Sequence, residues 1–531
     1  MGLFGRKKKN EQRASDLDDK YESLHSLEQY EEAIACCDEA IALDPEHSMA
    51  WLNKGNSLIK LGKYEEAIAC YNEVIRLDPE SHNAWNNKGK ILEALGKYEE
   101  AIACYDEIIQ FWPEFYIAWT SKGKILQDLG KYEEAIACYD KVITFEDPYH
   151  SESALFGKGV TLFQLERYEE AITCFDETIR LHNPGTITSI DLYSVLSYKG
   201  IVFHAMGKYE EAIACYDEAI KLDPEDSAAW YNKGNSLSSL GRHTEAIACY
   251  DAAIKLDPED SAAWYNKANS LASLENYEEA IACYDAAIKL DPEFSAAWYN
   301  KGNSLSSLGR HKEAIVCYVV AIKLDPEYSD AWYNKGNSLF SLENYEEAIA
   351  CYDAAIKLDP EFSAAWYNKG NSLSSLGRHK EAIVCYVVAI KLDPEYSDAW
   401  GNKANSLASL ENYEESIACF DEAIRLDPED SFAWGNKGQS LASLGRYKEA
   451  IVCYDEAIKL YPVKTSTWYN KGNSLSSLEN YEESIACYDE AIKLDPEYSA
   501  AWYNKGIALK KLGRDEEAEQ CFAKARELDE S

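Results

Sequence analysis

The sequence has no apolar run long enough to span a membrane, no visible signal peptide and no Cys-x-x-Cys pair. A membrane-spanning helix needs about 20 consecutive apolar residues, so the sequence excludes a transmembrane segment. Metal-binding or redox pairs of cysteines are excluded by the spacing. We therefore expect a reducing compartment, namely the cytoplasm.

Positive charge is scarce. The chain carries 53 lysines and arginines against 93 aspartates and glutamates, which gives a formal net charge of −40. Such a field repels the phosphate backbone, so we expect no nucleic-acid partner. The acidic residues either form a solvated outer face or attract cationic partners, and the sequence leaves both alternatives open.

Catalytic motifs are also missing. The chain has no Gly-rich phosphate loop, no nucleophile elbow and no His-Glu-x-x-His motif. The 9 histidines are scattered, and no pair of carboxylates stands out from its neighbours. The sequence therefore predicts a protein that is not an enzyme and has no cofactor or bound metal.

What the chain does contain is one stretch repeated many times. We number Ser227–Asp260 as positions 1 to 34 of a repeat. Such a period is the signature of a stacked array of supersecondary units, and we count fifteen repeats. Tryptophan recurs at position 4, as Trp51, Trp85, Trp119, Trp230, Trp264, Trp298, Trp332, Trp366, Trp400, Trp434, Trp468 and Trp502.

Each repeat is predicted to form two helices. Trp230, Gly234 and Leu237 follow one another at helical spacing, and Gly241 ends this first helix because glycine accepts left-handed dihedral angles. A second apolar arc covers positions 18 to 30 and ends at Asp257-Pro258. Neither helix can bury its apolar face alone, so neighbouring repeats must stack.

These positions resemble the tetratricopeptide repeat: Trp at 4, Gly at 8, Ala at 20, an aromatic at 24, Ala at 27 and Pro at 32. The resemblance covers residues 14–531 and implies an all-α, right-handed α-solenoid of antiparallel helix pairs. Position 7 departs from the family, because it is Lys here, as in Lys233 and Lys301. Either the lysine stem packs and its ammonium reaches an acid of the preceding repeat, or the lysine is partly exposed without a fixed partner.

The 16 cysteines almost all occupy position 23, inside the apolar arc of the second helix. We interpret them as small core residues. Equivalent positions in stacked repeats lie roughly 10 Å apart, a helix-packing distance, which is too far for a disulfide.

The period divides the chain into three parts. Residues 1–13 form a basic arm outside the repeats, predicted to be disordered. Residues 14–192 hold five irregular repeats, with insertions near 145–151 and 182–191, and residues 193–531 hold ten regular repeats. In the last repeat Glu519 and Arg526 replace apolar residues, which predicts a capping helix at 515–529.

Two sets of residues on the first helices are candidates for binding. Positions 2, 5, 6, 9, 12 and 13 lie opposite the apolar stripe, and we call this surface the first-helix face. In the proteins that the chain resembles, this face lines a concave, peptide-binding groove. Asparagine dominates positions 6 and 9, and carboxamides can both donate to and accept from a peptide backbone. The candidate ladders are Asn232, Asn266, Asn300, Asn334 and Asn368 at position 6, and Asn235, Asn269, Asn303, Asn337 and Asn371 at position 9.

The alternative for these asparagines is that they only bond neighbouring helices. A second candidate lies where the polar pattern breaks, because an exposed apolar patch often marks an interaction site. The alternative for this patch is that its side chains cover the inserted loop at 182–191 or compensate for the tryptophan that these repeats lack. The patch comprises Phe156, Val160, Phe163, Tyr198 and Ile201.

The sequence thus predicts a non-enzymatic scaffold that binds a protein or peptide partner in the groove. The alternative is a structural protein that self-associates and is tethered to a surface by its basic arm.

Overall fold

The computed structural model describes residues 2–145, 147–182 and 190–530, without the side chains of residues 2–12, 15, 148, 149 and 530. Within these residues the chain is helical and contains no strand. It divides into two compact units, Met1–Glu259 and Asp260–Ser531.

The first unit contains helices α1 to α14. Their bounds are α1 (Gly2–Ser26), α2 (Tyr30–Leu43), α3 (Ser48–Lys60), α4 (Tyr64–Leu77), α5 (His82–Ala94), α6 (Tyr98–Phe111), α7 (Tyr116–Asp128), α8 (Tyr132–Ile143), α9 (Pro148–Gln164), α10 (Tyr168–Leu181), α11 (Leu192–Ala205), α12 (Tyr209–Leu222), α13 (Ser227–Ser239) and α14 (His243–Leu256).

The second unit contains helices α15 to α30. Their bounds are α15 (Ser261–Ser273), α16 (Tyr277–Leu290), α17 (Ser295–Ser307), α18 (His311–Leu324), α19 (Ser329–Ser341), α20 (Tyr345–Leu358), α21 (Ser363–Ser375), α22 (His379–Leu392), α23 (Ser397–Ser409), α24 (Tyr413–Leu426), α25 (Ser431–Ser443), α26 (Tyr447–Leu460), α27 (Thr465–Ser477), α28 (Tyr481–Leu494), α29 (Ser499–Lys511) and α30 (Asp515–Glu530).

The helices end where the sequence predicts. The first helix of each repeat stops one or two residues before a left-handed residue, such as Gly309 with φ of 73° after α17. Where glutamate replaces this glycine the left-handed conformation persists, as at Glu343 with φ of 62°. The second helix stops before proline, as at Asp325, which is extended after α18.

Each repeat packs a small core between its two helices. In α17 and α18 the core joins Leu305, Ala314, Cys317 and Tyr318, with Trp298 against it. Glycine at position 8 allows the close approach, because a Cβ atom on Gly302 would lie 2.6 Å from Cε1 of Tyr318. The cysteines at position 23 are buried and free, as predicted.

The N-terminal arm differs from its prediction. Helix α1 begins at Gly2, so residues 2–13 continue the first helix of the first pair instead of forming a disordered tail. The insertion near 145–151 falls partly in the connection after Ile143 and partly in the first turn of α9, which begins at Pro148. Most of the insertion at 182–191 lies outside the described residues. The predicted change of regularity at residue 193 does not coincide with the boundary between the two units.

Candidate partner-binding surface

Lysine at position 7 joins neighbouring repeats, which decides between the two alternatives for this residue. Nζ of Lys301 donates to Oδ1 of Asp285 in the preceding repeat at 2.5 Å, and it lies 5.6 Å from the ring centre of Trp298. The lysine stem is therefore packed and its ammonium has a fixed partner. The same ion pair joins Lys54–Asp38, Lys122–Asp106, Lys158–Asp140, Lys199–Asp176, Lys233–Asp217, Lys369–Asp353, Lys437–Asp421, Lys471–Asp455 and Lys505–Asp489.

The asparagine ladders form a hydrogen-bond network between first helices. Nδ2 of Asn334 donates to Oδ1 of Asn303 at 3.1 Å and to the hydroxyl of Tyr299 at 2.9 Å, both in the preceding repeat. Asn303 also accepts from the buried hydroxyl of Tyr318 at 2.9 Å. Two ladder positions and two tyrosines thus form one linked group across the repeat boundary.

The same group recurs along the second unit. Asn300, Asn368 and Asn402 each donate to the tyrosine at position 5 and to the asparagine at position 9 of the preceding repeat, at 2.9 to 3.1 Å. The position 9 acceptors include Asn269, Asn337 and Asn371, each of which also accepts from the tyrosine at position 24 of its own repeat. The asparagines therefore do form hydrogen bonds between neighbouring helices, as in the alternative that the sequence left open.

The remaining ladder residues lie on the same face. Asn232 and Asn266 are partly exposed at position 6, and Asn235 accepts from Tyr250 at 2.9 Å. The ladder carboxamides are neither fully buried nor fully exposed. A partner would therefore meet their edges, with much of their hydrogen-bonding capacity already used within the protein.

A row of aromatic rings runs beside the ladders in the second unit. The ring centre of Tyr299, at position 5, lies 4.6 Å from the ring centre of Tyr328, at position 34 of the same repeat. Equivalent pairs are Tyr265 with Phe294, Tyr333 with Phe362, Tyr367 with Tyr396 and Tyr469 with Tyr498. Burial raises the pKa of Tyr299 and of Tyr328, so both hydroxyls stay protonated.

This row is interrupted in two consecutive repeats. Position 5 is Gly401 and then Gly435, while position 34 is Asp430 and then Lys464. A cavity of about 450 Å³ opens between α23 and α25, and both Gly401 and Asp430 line it. Sequence reasoning missed this site. The sequence did carry a signal for it, because positions 5 and 34 both lack an aromatic residue in the same two repeats.

The predicted apolar patch lies largely against the core. Phe156, Val160 and Phe163 pack on a buried cluster that contains Phe175 and Val202. The rings of Phe156 and Tyr198 pack edge to face, with their ring centres 5.3 Å apart. Tyr198 is the member that is most open to solvent, with 37% of its surface exposed, and Ile201 is partly exposed. The patch therefore offers a partner the edge of a packed aromatic cluster.

The described residues lack two further kinds of feature. No helix among them is long and apolar enough to cross a membrane. They contain no group of three or more His, Cys, Asp or Glu side chains that could hold a metal ion.

Family models match nearly the whole chain. Models described as tetratricopeptide repeat match residues 23–68, 52–114, 116–146, 150–225, 199–261, 261–294, 283–316, 329–362, 363–396, 397–430, 431–462 and 499–531. A model described as TPR repeat matches residues 302–342 and 472–513. The comparison with curated proteins yields no match.

Several solved structures are similar to this chain. YrrB, described as a TPR protein with an unusual peptide-binding site, is 30% identical over 35% of this chain and 95% of its own, with a TM-score of 0.32. The Cut9–Hcn1 hetero-tetramer of APC/C is 14% identical over 87% of this chain and 96% of its own, with a TM-score of 0.38. MamA from Desulfovibrio magneticus RS-1 is 21% identical over 32% of this chain and 95% of its own, with a TM-score of 0.31.

Consecutive helix pairs with small and aromatic residues at fixed positions define a helical-repeat protein. The chain belongs to the tetratricopeptide repeat family. The predicted fold class, an all-α α-solenoid of antiparallel helix pairs, is thereby confirmed. Its repeats are those of a protein-interaction scaffold.

Proposed function

We propose that the protein is a non-enzymatic scaffold that binds peptide segments of a protein partner on the first-helix face, the surface expected to line the concave groove. The observation that carries this proposal is the network of tyrosines and asparagines on that face. Its side chains are held by the protein itself, as Asn334 is by Asn303 and Tyr299. A partner therefore meets a surface that loses little conformational entropy on binding.

The ladder asparagines contribute in this proposal as a preordered polar surface rather than as a row of free donors. Both hydrogens of the Asn334 amide are already used within the protein. The apolar patch is the second proposed contact region, and Tyr198 is its accessible member. The proposal includes a cytoplasmic location, which is supported by cysteines that are all buried and free.

A capture experiment with matched charge variants tests the proposal. The first variant places three lysines on exposed serines of the first-helix face, at Ser273, Ser307 and Ser341. The control places three lysines on exposed residues of the second helices, at Ala282, Val316 and Ala350. Both variants add the same charge, and circular dichroism checks that both keep their helices.

Proteins captured from lysate are identified by mass spectrometry. We expect partners of the wild-type chain to be lost with the first-helix variant and retained with the second-helix control. Tyr198→Lys, compared with Thr173→Lys on α10, tests the apolar patch in the same way. Equal capture by all variants, or no capture by the wild-type chain, contradicts the proposal. Light scattering against concentration tests the alternative, self-association.

A further inference from the structure

The interruption of the aromatic row coincides with a cavity between α23 and α25. In the repeat before the cavity, Tyr367 and Tyr396 fill the equivalent space, with their ring centres 4.7 Å apart. Gly401 and Asp430 replace both rings in the next repeat, and the space between them is about 450 Å³. A Cβ atom added to Gly401 would meet nothing within 4 Å, so the backbone itself leaves this space open.

The hydrogen-bond network is also incomplete at the cavity. Nδ2 of Asn436 donates to Oδ1 of Asn405 at 3.0 Å, but Gly401 supplies no hydroxyl to accept its second hydrogen. Phe420 occupies position 24 and has no hydroxyl to donate to Asn405, whereas Tyr386 donates to Asn371 at 2.9 Å. One amide hydrogen and one carbonyl lone pair are therefore left for a ligand, and both residues line the cavity.

The rim of the cavity is acidic. Asp398, Asp427, Glu429 and Asp430 line it, and no lysine or arginine does. Carboxylates of one sign around a cleft concentrate cations there. The lining therefore favours a positively charged ligand.

A lysine of this chain already shows that the rim accepts a cation. The ammonium of Lys464 lies 4.1 Å from the ring centre of Phe432, a residue that also lines the cavity and is 58% exposed. Burial lowers the pKa of Lys464, and the charge of Asp430 opposes that shift. An aromatic ring next to carboxylates is a common recognition element for lysine and arginine side chains.

The cavity continues along the same face. A second cavity of about 290 Å³ shares Asn405, Phe420 and Asn436 with the first, and its lining also includes Ser409 and Tyr413. The two together offer room for a side chain and for the backbone that carries it.

We propose that the cavity between α23 and α25 binds a lysine or arginine side chain of an extended segment of the partner. The cation lies among Asp398, Glu429 and Asp430, and the amide groups of Asn405 and Asn436 bond the backbone of the segment. This inference rests on the proposed function, because it names the ligand class of one part of the first-helix face.

The test uses a phage-displayed library of random dodecapeptides, panned on the full chain. Peptides that are enriched are synthesised with a fluorescent label, and their affinities are measured by anisotropy. Gly401→Tyr refills the cavity with the residue found at position 5 of the preceding repeat, Tyr367. Asp398→Asn with Glu429→Gln removes two rim charges, and Asp330→Asn with Glu361→Gln makes the same changes at the same repeat positions, where Tyr333 and Phe362 fill the space.

We expect enriched peptides to share a lysine or arginine, and to bind at least about tenfold more weakly to the two cavity variants, as loss of hydrogen bonds to a charged group implies. The matched control should bind like the wild-type chain. Enriched peptides that lack a basic residue, or that bind Gly401→Tyr unchanged, overturn the inference but leave the scaffold function standing. A library with no enriched peptide overturns both.

Discussion

Nζ of Lys369 donates to Oδ1 of Asp353 at 2.5 Å, and the same ammonium lies 5.4 Å from the ring centre of Trp366. One lysine thus binds a carboxylate of the preceding repeat and a ring of its own helix. Lys335 and Lys403 lie over Trp332 and Trp400 in the same way, at 5.2 and 5.0 Å. In their case, however, position 25 of the preceding repeat is valine, namely Val319 and Val387.

Restoring the missing carboxylates should stabilise the array. Val319→Asp and Val387→Asp together should raise the free energy of unfolding by about 0.5 kcal/mol per pair, the usual size for a half-exposed ion pair. The control is Val316→Asp with Val384→Asp, which removes exposed valines and adds the same charge at position 22. Urea unfolding measures the difference. Equal midpoints for the two variants would show that the Lys–Asp pair contributes nothing.

Removing one ladder asparagine should destabilise the protein through its partners. Asn337→Ala leaves the hydroxyl of Tyr352, a residue with 1% of its surface exposed, without its acceptor. We expect a cost of about 1 to 3 kcal/mol in the free energy of unfolding, as for an unsatisfied buried donor. In a Tyr352→Phe background the same substitution should cost less, since no hydroxyl loses its acceptor. Strictly additive effects in this double-mutant cycle would contradict the network.

Filling the cavity should stabilise the chain. Gly401→Ala should raise the free energy of unfolding by about 1 kcal/mol, because glycine disfavours the interior of a helix. Gly401→Tyr should do at least as well, since its hydroxyl can accept from Asn436 as Tyr367 accepts from Asn402 at 2.9 Å. The direct check is thermal unfolding with and without Asn436→Ala. Asn436→Ala should lower the free energy of unfolding more in the Gly401→Tyr background than in the wild-type chain. An equal loss in both backgrounds would mean that the hydrogen bond does not form.

The buried thiols should make stability fall at alkaline pH. Burial raises the pKa of Cys317 and of Cys385 from 9.0 to about 11. The unfolded chain therefore loses these protons at lower pH than the folded chain. The resulting stabilisation is complete below pH 9 and is lost as the pH rises from about 9 to about 11. Denaturation at pH 7, 9 and 10.5 measures this fall, and Cys317→Ala with Cys385→Ala should reduce it. A fall of the same size in this variant would assign it to other groups.

The same burial predicts slow reaction of the thiols with a thiolate-specific reagent. At pH 8 the native chain should be labelled slowly, and the chain in urea should react at every cysteine. Fast labelling of the native chain would contradict the burial of position 23.

The fold was predictable because its signals are periodic. Trp at 4, Gly at 8 and Pro at 32 each fix one local feature, and repetition removes the ambiguity of any single helix. The ion pair of Lys301 was also within reach, since position 25 is acidic in most repeats. The helix that begins at Gly2 was not, because residues 2–13 carry no copy of the period.

The candidate site was less predictable. The residue types at positions 6 and 9 identify carboxamides on one face, but which group each amide bonds depends on side-chain rotation. Asn334 turns toward Asn303 and Tyr299 rather than toward solvent, and no sequence pattern fixes that choice. The cavity at Gly401 required a comparison between positions 5 and 34, which are far apart in sequence and in contact in space.

Photo-crosslinking tests the central claim, partner binding on the first-helix face, most directly. A photoreactive amino acid replaces Ser307 on α17 in one variant and Ala350 on α20 in the other, and both positions are exposed. After irradiation in lysate, we expect a crosslinked partner from position 307 and none from position 350. A partner crosslinked from position 350 alone would contradict the account and place the binding surface on the second helices.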